Sequence, residues 1–297
     1  MVLCILWDSL RVDFAEKYMK GIFPQESWTK FQTIETFTAP VISSIITGKT
    51  PEELGIQRDE SAFWTAIDPS KIDDTLFDHF ESYISLGRLI GPGPREMPPS
   101  RKEHFEILPP IKWRAQSNWD PDIFQYIGAK YSITSPDYYD LIWYHPFITH
   151  GPFSIYTGEG PKECPEVVNC DRLMQRLAET DRPALLNWYK KGVDNAIATL
   201  MGIEHITNGM ETIICFADHG ECLGEEINGV KVTGHFGGMK NHPDIGMVPC
   251  WINRPDVKFP ENMSHLKLKD FIVDCYNKYE KNNEEYQQWK KKKLSHS

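Results

Sequence analysis

Thr212 to Glu221 reads Thr-Ile-Ile-Cys-Phe-Ala-Asp-His-Gly-Glu. The run from Thr212 to Ala217 has the length and β-rich, apolar composition of a strand. An acid and an imidazole, Asp218 and His219, then stand side by side where that strand should end. Open α/β sheets place their sites just beyond the carboxyl ends of strands. Asp and His ahead of a Gly that frees the backbone suit a divalent metal, and they equally suit a turn.

Two other segments bear on that choice. Val2 to Trp7 is an apolar run ending in Asp8-Ser9-Leu10-Arg11. It reads as a buried central strand that delivers a carboxylate to the same sheet edge, or as a strand whose Asp caps the next helix. Thr36 to Gly48 contains Pro40, suited to the first turn of a helix, and Gly48, suited to its exit. Thr38 therefore lies at or just before a helix N-terminus. Its hydroxyl is either a plain N-cap or a nucleophile aimed at an anion held by the helix end.

Outward from these segments, strands alternate with helices, which implies a mostly parallel sheet covered on both faces. Expected strands are residues 2–8, Tyr83 to Leu86, Asp140 to Tyr144, Thr212 to Ala217 and Met247 to Ile252. Residues 9–20 read as a short helix or turn, and 40–47 as the helix behind Thr38. Ser70 to Ser82 is expected to be helical, capped by Ser70, with Ile72, Leu76, Phe77 and Phe80 at helical spacing. Residues 91–114 are Pro-rich and read as a long irregular excursion, Trp119 to Tyr131 as a helix, and His145 to Pro165 as a site-facing loop. Asp181 to Ile206 is a long helix with Pro183 in its first turn. The expected division is a catalytic domain over 1–260 and a helical, polar tail over 261–297, packed on or extending from it. Tyr279 to Lys293 is almost wholly polar.

The chain of 297 residues carries a net charge of −10, which argues against broad nucleic-acid binding. An anionic substrate must then be drawn by local cations and metal. No basic segment precedes the first strand, and no apolar run approaches membrane-spanning length. Seven Cys, an odd number without a CxxC pair, fit reduced thiols. Cys4, Cys215 and Cys250 read as core residues; Cys164 and Cys170 flank a Pro-containing loop. A soluble, cytoplasmic chain is expected.

In order and spacing the motifs resemble the alkaline phosphatase/sulfatase superfamily. Asp8 to Arg11 matches its opening strand end. Thr38, Pro40 and Ile46-Thr47-Gly48 match its nucleophile helix, continued by Pro51 and Leu54-Gly55. Ala217 to Glu225 matches its Ser-Asp-His-Gly-Glu-x-Leu-Gly-Glu stretch. Gly234-His235, Met247-Val248-Pro249 and Thr149-His150-Gly151-Pro152-Phe153 match further elements, so the resemblance covers about residues 2 to 254. It implies an α/β/α sandwich around a mostly parallel sheet. Sulfatases have Cys or Ser at the nucleophile position and an Arg four residues later; here these are Thr38 and Ile42. Thr cannot be oxidised to formylglycine, and Thr nucleophiles are typical of phosphorus-handling branches that form phospho-threonine.

The resemblance implies a metal site of Asp8, Thr38, Asp218 and His219, holding one divalent ion. Zinc is expected, with Mn2+, Mg2+ or Ca2+ as alternatives. His150 and His235 fall at substrate-side positions, His235 binding phosphoryl oxygens or protonating the leaving oxygen. His145 and His242 are candidates to complete a second metal site with His150 or His235. Against that stands Pro146, where a two-metal branch has the Asp of an Asp-x-x-x-His pair. Arg11 and Lys240 are weaker candidates for phosphate contacts, Arg11 more as a structural ion pair; Glu221 and Glu225 read as supporting residues. The implied activity is phosphodiester or phosphomonoester hydrolysis of a small anionic substrate through phospho-Thr38. Alternatives are transfer to a glycan or lipid-like acceptor, a sulfatase, or a metal-stabilised inactive scaffold.

Overall fold

The computed structural model describes residues 1–23, 26–57, 68–87, 139–146, 148–151, 153, 170–207, 211–235, 239–281 and 284. A six-stranded sheet runs in the order β2-β8-β5-β1-β4-β3. Its strands are β1 (Val2–Trp7), β2 (Ser27–Gln32), β3 (Tyr83–Gly87), β4 (Leu141–His145), β5 (Thr212–Ala217) and β8 (Met247–Ile252). β1 pairs in parallel with β4 and β5, and β3 with β4. β8 runs antiparallel to both β5 and β2. β6 (Cys222–Ile227) and β7 (Val230–Gly234) form a separate antiparallel hairpin. Asn228 and Gly229 both have positive φ at its turn, the conformation that a two-residue hairpin loop needs.

Every residue of β1 and β5 is buried. Central strands covered on both faces have no solvent side, so their sequences read as continuous apolar runs rather than alternating ones. Each fully buried Val, Leu or Ile contributes roughly 1.5–3 kcal/mol relative to exposure. One helical layer holds α2 (Thr38–Thr47) against the later helix His265–Cys275, with the turn Leu76–His79 beside them. A second holds α3 (Cys170–Thr180) against α4 (Arg182–Thr207) and the hairpin. The architecture is the expected α/β/α sandwich. The short α1 (Val12–Phe14) passes into a π-helical turn, Ala15–Met19. A one-turn helix α5 (Pro243–Gly246) leads into β8, and α6 is His265–Cys275.

Parallel strands deliver their C-terminal residues to one edge. Asp8 after β1, His145 ending β4 and Asp218 after β5 meet there. β2, antiparallel to β8, also ends at this edge and feeds residues 33–37 into α2. Because β8 runs the other way, the segment before it, including α5, closes over the same edge.

The expected helix over Ser70 to Ser82 is absent. Two 3-10 turns, Pro69–Lys71 and Leu76–His79, stand in its place. Ile72 packs with Leu54 and Ile56 in a small cluster, whereas Leu76, Phe77 and Phe80 belong to the main core. One continuous helix face cannot serve both clusters. Lys49 binds Asp73 and the Lys71 carbonyl, and Thr75 starts a new turn through a capping box with Asp78. Ser70 bonds to Asp68 instead of capping. The expected excursion over 91–114 and the expected helix over Trp119 to Tyr131 lie outside the described residues, as do most of the His145 to Pro165 loop and the polar stretch beyond residue 284. Helix α6 precedes that stretch, and it buries Leu268, Phe271 and Ile272 against the rest of the fold.

Candidate active site

Asp8 and Asp218 end adjacent strands and are fully buried, as is His219. One ligand atom from each of the three lies within 4.8 Å of the others. The His219 ring donates from Nδ1 to the Gly220 carbonyl at 2.9 Å, which leaves the Nε2 lone pair facing inward. That lone pair lies 3.3 Å from Asp218 Oδ2 and 3.4 Å from Thr38 Oγ1. Asp218 Oδ2 is buried without a hydrogen-bond partner among the described residues. Two carboxylates and an imidazole lone pair converging in a dry site repel one another unless a cation sits between them. The residues therefore fit a divalent ion, and a mixed N/O donor set of this kind suits zinc.

Electrostatics follow from burial. Burial and the facing Asp8 carboxylate push Asp218 up to about 7. Burial raises Asp8 too, but His150 and His145 outweigh it and hold Asp8 below the usual carboxylate range. Burial, reinforced by His235, pushes His219 down to about 3, so its imidazole is neutral and free to ligate.

Supporting bonds fix these groups. His145 Nε2 lies 3.2 Å from Asp8 Oδ2, and the Thr149 hydroxyl donates to the Asp8 carbonyl at 2.6 Å. Asp218 Oδ1 accepts from the Ser9 and His219 N–H groups. Ser9 takes a positive φ of 59°, costly for a non-Gly residue, and it is pinned there by Tyr189, whose hydroxyl donates to the Ser9 carbonyl and accepts from the Arg11 N–H. Below Asp218, the buried His265 donates from Nε2 to the Ala217 carbonyl and accepts the Ile34 N–H at Nδ1. Burial pushes His265 down to about 4, so it stays neutral.

Thr38 is the first residue of α2. The N-cap position is Phe37, which makes no side-chain capping bond. The Thr38 hydroxyl instead points to Asp8 Oδ2 and His219 Nε2, both at 3.4 Å. The first N–H groups of α2 have no partner within the helix, so its positive end faces the same space.

His150 and His235 form the opposite wall, ring centroids 5.4 Å apart, and His235 lies 4.1 Å from the His219 ring. His235 Nδ1 contacts Glu221 Oε2 at 3.3 Å. Burial lowers the His235 pKa, but Glu221 overrides it and lifts His235 to about 9. The same contact holds Glu221 below its ordinary value against the effect of burial. The sequence marks Glu221 only as part of a motif; its bond to His235 comes from the chain turning back through the hairpin. Nothing in the sequence marks His265.

Of the remaining candidates, His145 lies on Asp8. His242 caps α5, its Nδ1 accepting the Asp244 N–H, and makes no recorded contact with His145, His150 or His235. Lys240 is exposed. Arg11 is buried and binds Asp13, Glu225, Asp244 and the Glu221 carbonyl. It is a structural hub, as expected.

No family model matches the sequence, and no curated protein matches it. Solved structures do share the fold. A phosphonate monoester hydrolase of Agrobacterium radiobacter is 13% identical, with 93% of this chain and 73% of that one covered and a TM-score of 0.61. A 2-O GAG sulfatase is 15% identical, with 93% and 70% covered and a TM-score of 0.54. The C-terminal periplasmic domain of a phosphoethanolamine transferase from Escherichia coli, in complex with zinc, is 12% identical, with 94% and 84% covered and a TM-score of 0.51. The chain thus has the fold of the alkaline phosphatase/sulfatase superfamily.

Proposed function

We propose that this chain is a metal-dependent phosphoester hydrolase working through a covalent phospho-Thr38. The observation that carries the reading is the meeting of Thr38 Oγ1 with Asp8 and His219 at the open end of α2, across from His150 and His235. Asp8, Asp218 and His219 hold one divalent ion, zinc by analogy with the similar transferase domain. When bound, that ion lowers the pKa of a nearby hydroxyl and offsets charge on the substrate. A second ion has less support, since His242 is engaged in its own cap.

Thr38 Oγ1 attacks phosphorus, so one O–P bond forms as the bond to the leaving oxygen breaks. Asp8 orients the hydroxyl, whose proton leaves to solvent and returns to Oγ1 when water cleaves phospho-Thr38. His150 and the N-terminal end of α2 bind the phosphoryl oxygens. His235, held as imidazolium by Glu221, gives its proton to the leaving oxygen, then takes one from the water that cleaves phospho-Thr38. Ile42 supports phosphorus over sulfate: it is wholly buried in the core, where no Arg can serve a formylglycine. In a screen of aryl phosphomonoesters, phosphodiesters, phosphonates and sulfates with the zinc-loaded protein, phosphoesters are expected to turn over well above sulfates. A preference for sulfates overturns the reading.

A second test concerns pH. If protonated His235 is the acid, kcat/KM falls as pH rises through its pKa, about 9 with Glu221 in place. Glu221→Gln removes the charge that raises that pKa and moves the basic limb toward the ordinary value near 6.5. At pH 8 a loss on the order of 30-fold is expected, against little change at pH 6. A basic limb that stays put excludes His235 as the acid.

Residues 1–260 and the segment 261–297, whose helix α6 packs on the fold, are proposed to work as one catalytic unit. No helix among the described residues is long and apolar enough to cross a membrane. Cys4, Cys215, Cys222, Cys250 and Cys275 are buried free thiols, which supports a reducing, cytoplasmic setting, in contrast to the periplasmic transferase domain.

A further inference from the structure

A cleft of about 860 Å³ opens outward from the His150–His235 wall. One side is the polar face of α3, where Arg172, Gln175, Arg176 and Glu179 follow helical spacing. The other is β7, with Lys231 and Thr233. We infer that the substrate carries a second anionic group, and that Arg172, Arg176 and Lys231 bind it in this cleft. The inference rests on the phosphoester reading and names its substrate class: a phosphoester bearing a second oxyanion.

Charge supports this. The chain as a whole is at −10, yet the outer cleft holds three cations and one acid, Glu179, a local balance of +3 − 1 = +2. The other lining acid, Glu221, is committed to His235. Arg172 and Arg176 stand four residues apart on one helix, so an anion placed between them meets two guanidinium groups. Among the described residues, Arg172 has no ion-pair partner, and Lys231 donates only to the Glu179 carbonyl at 3.5 Å.

The wall is built rather than merely solvated. Gln175 donates to the Lys231 carbonyl at 2.9 Å and to Glu179 Oε1 at 2.8 Å, and it accepts the Thr233 hydroxyl at 3.2 Å. This strut fixes α3 to β7 and holds the cations over the gap. Lys231 precedes His235 by four residues, about 13 Å along a strand, and its ammonium lies on the Glu179 carbonyl of α3.

The test uses zinc-loaded Thr38→Ala protein, which binds without turnover, titrated calorimetrically with glucose 6-phosphate, glucose 1,6-bisphosphate and 6-phosphogluconate. Tighter binding of at least about tenfold is expected for one or both dianchored ligands over glucose 6-phosphate. Which of the two gains separates a phosphate from a carboxylate as the second group. Adding Arg172→Ala and Arg176→Ala, or Lys231→Ala, should erase the gain while leaving glucose 6-phosphate affinity unchanged. Equal affinity for all three ligands overturns the inference, and so does a gain that survives in those variants. Absent phosphoester turnover in the unsubstituted protein would instead count against the reaction, which this binding measurement does not use.

Discussion

Thr38→Ala is expected to remove turnover by roughly 10⁴-fold or more, since nothing else at the α2 end replaces its oxygen. The fold should hardly notice. Thr38 occupies the first helical position, its hydroxyl makes no capping bond, and its recorded partners are Asp8 and His219. A stability change of no more than about 1 kcal/mol is expected in urea denaturation. Thr38→Ser keeps the oxygen and should retain measurable activity. Intact-mass analysis of acid-quenched protein should find one phosphoryl group, and peptide mapping should place it on Thr38. Full activity in Thr38→Ala would rule out the covalent mechanism.

Metal removal should produce the second large effect, with a sign that depends on pH. In the stripped protein Asp8 and Asp218 face each other in a dry site, and Asp218 is pushed up to about 7. A carboxylate whose folded pKa exceeds its unfolded value near 3.9 destabilises the fold as pH rises between those values. The Asp218 contribution to stability should therefore fall from about pH 4 to pH 7, on the order of 4 kcal/mol, while neutral His219 and His265 act with the opposite sign over the same window, so the Asp218 effect is read as the difference between the stripped parent and Asp218→Asn. Zinc supplies the missing countercharge and should restore that contribution. Asp218→Asn removes one of the two charges. At pH 8 its metal-free form should be more stable than the stripped parent, while zinc no longer raises its melting temperature and turnover is lost. A zinc-induced rise of equal size in both proteins contradicts the Asp8–Asp218–His219 site.

The central strands and the site edge were legible because burial on both faces leaves only apolar residues, as in Val2–Trp7 and Thr212–Ala217. Ordered motifs single out Asp8, Thr38, Asp218 and His219, and the structure brings them together. Edge strand β2 was not legible. Ser27–Gln32 carries mixed, partly exposed residues, and only pairing with β8 makes it a strand, with Trp28 stacked on Trp251 at 4.5 Å. The hairpin was missed although Asn228-Gly229 announces it, because Cys222–Ile227 has no clean alternation. Helix α3 lies beyond the His145 to Pro165 loop, in a stretch to which the sequence reading assigns no element. The Ser70 to Ser82 error has a tertiary cause: helical spacing was present, but its apolar residues answer to two separate clusters. His265 acts through backbone atoms of distant segments, and such bonds leave no trace in a linear sequence.

Glu225 accepts from both Arg11 and Arg182 at 2.7 Å. Arg11 braces the turn after β1 to the segment before β8, whereas Arg182 begins the helix that follows α3. The Glu225 carboxylate is thus one of several bonds, with the Arg11–Glu221 carbonyl and Arg182–Leu223 carbonyl bonds, that tie the turn after β1 to the hairpin and to the helix packed on α3. On the proposed use of the outer cleft, changes on α3 and β7 should retune which substrates are taken without loosening the Arg11–Glu225 bond.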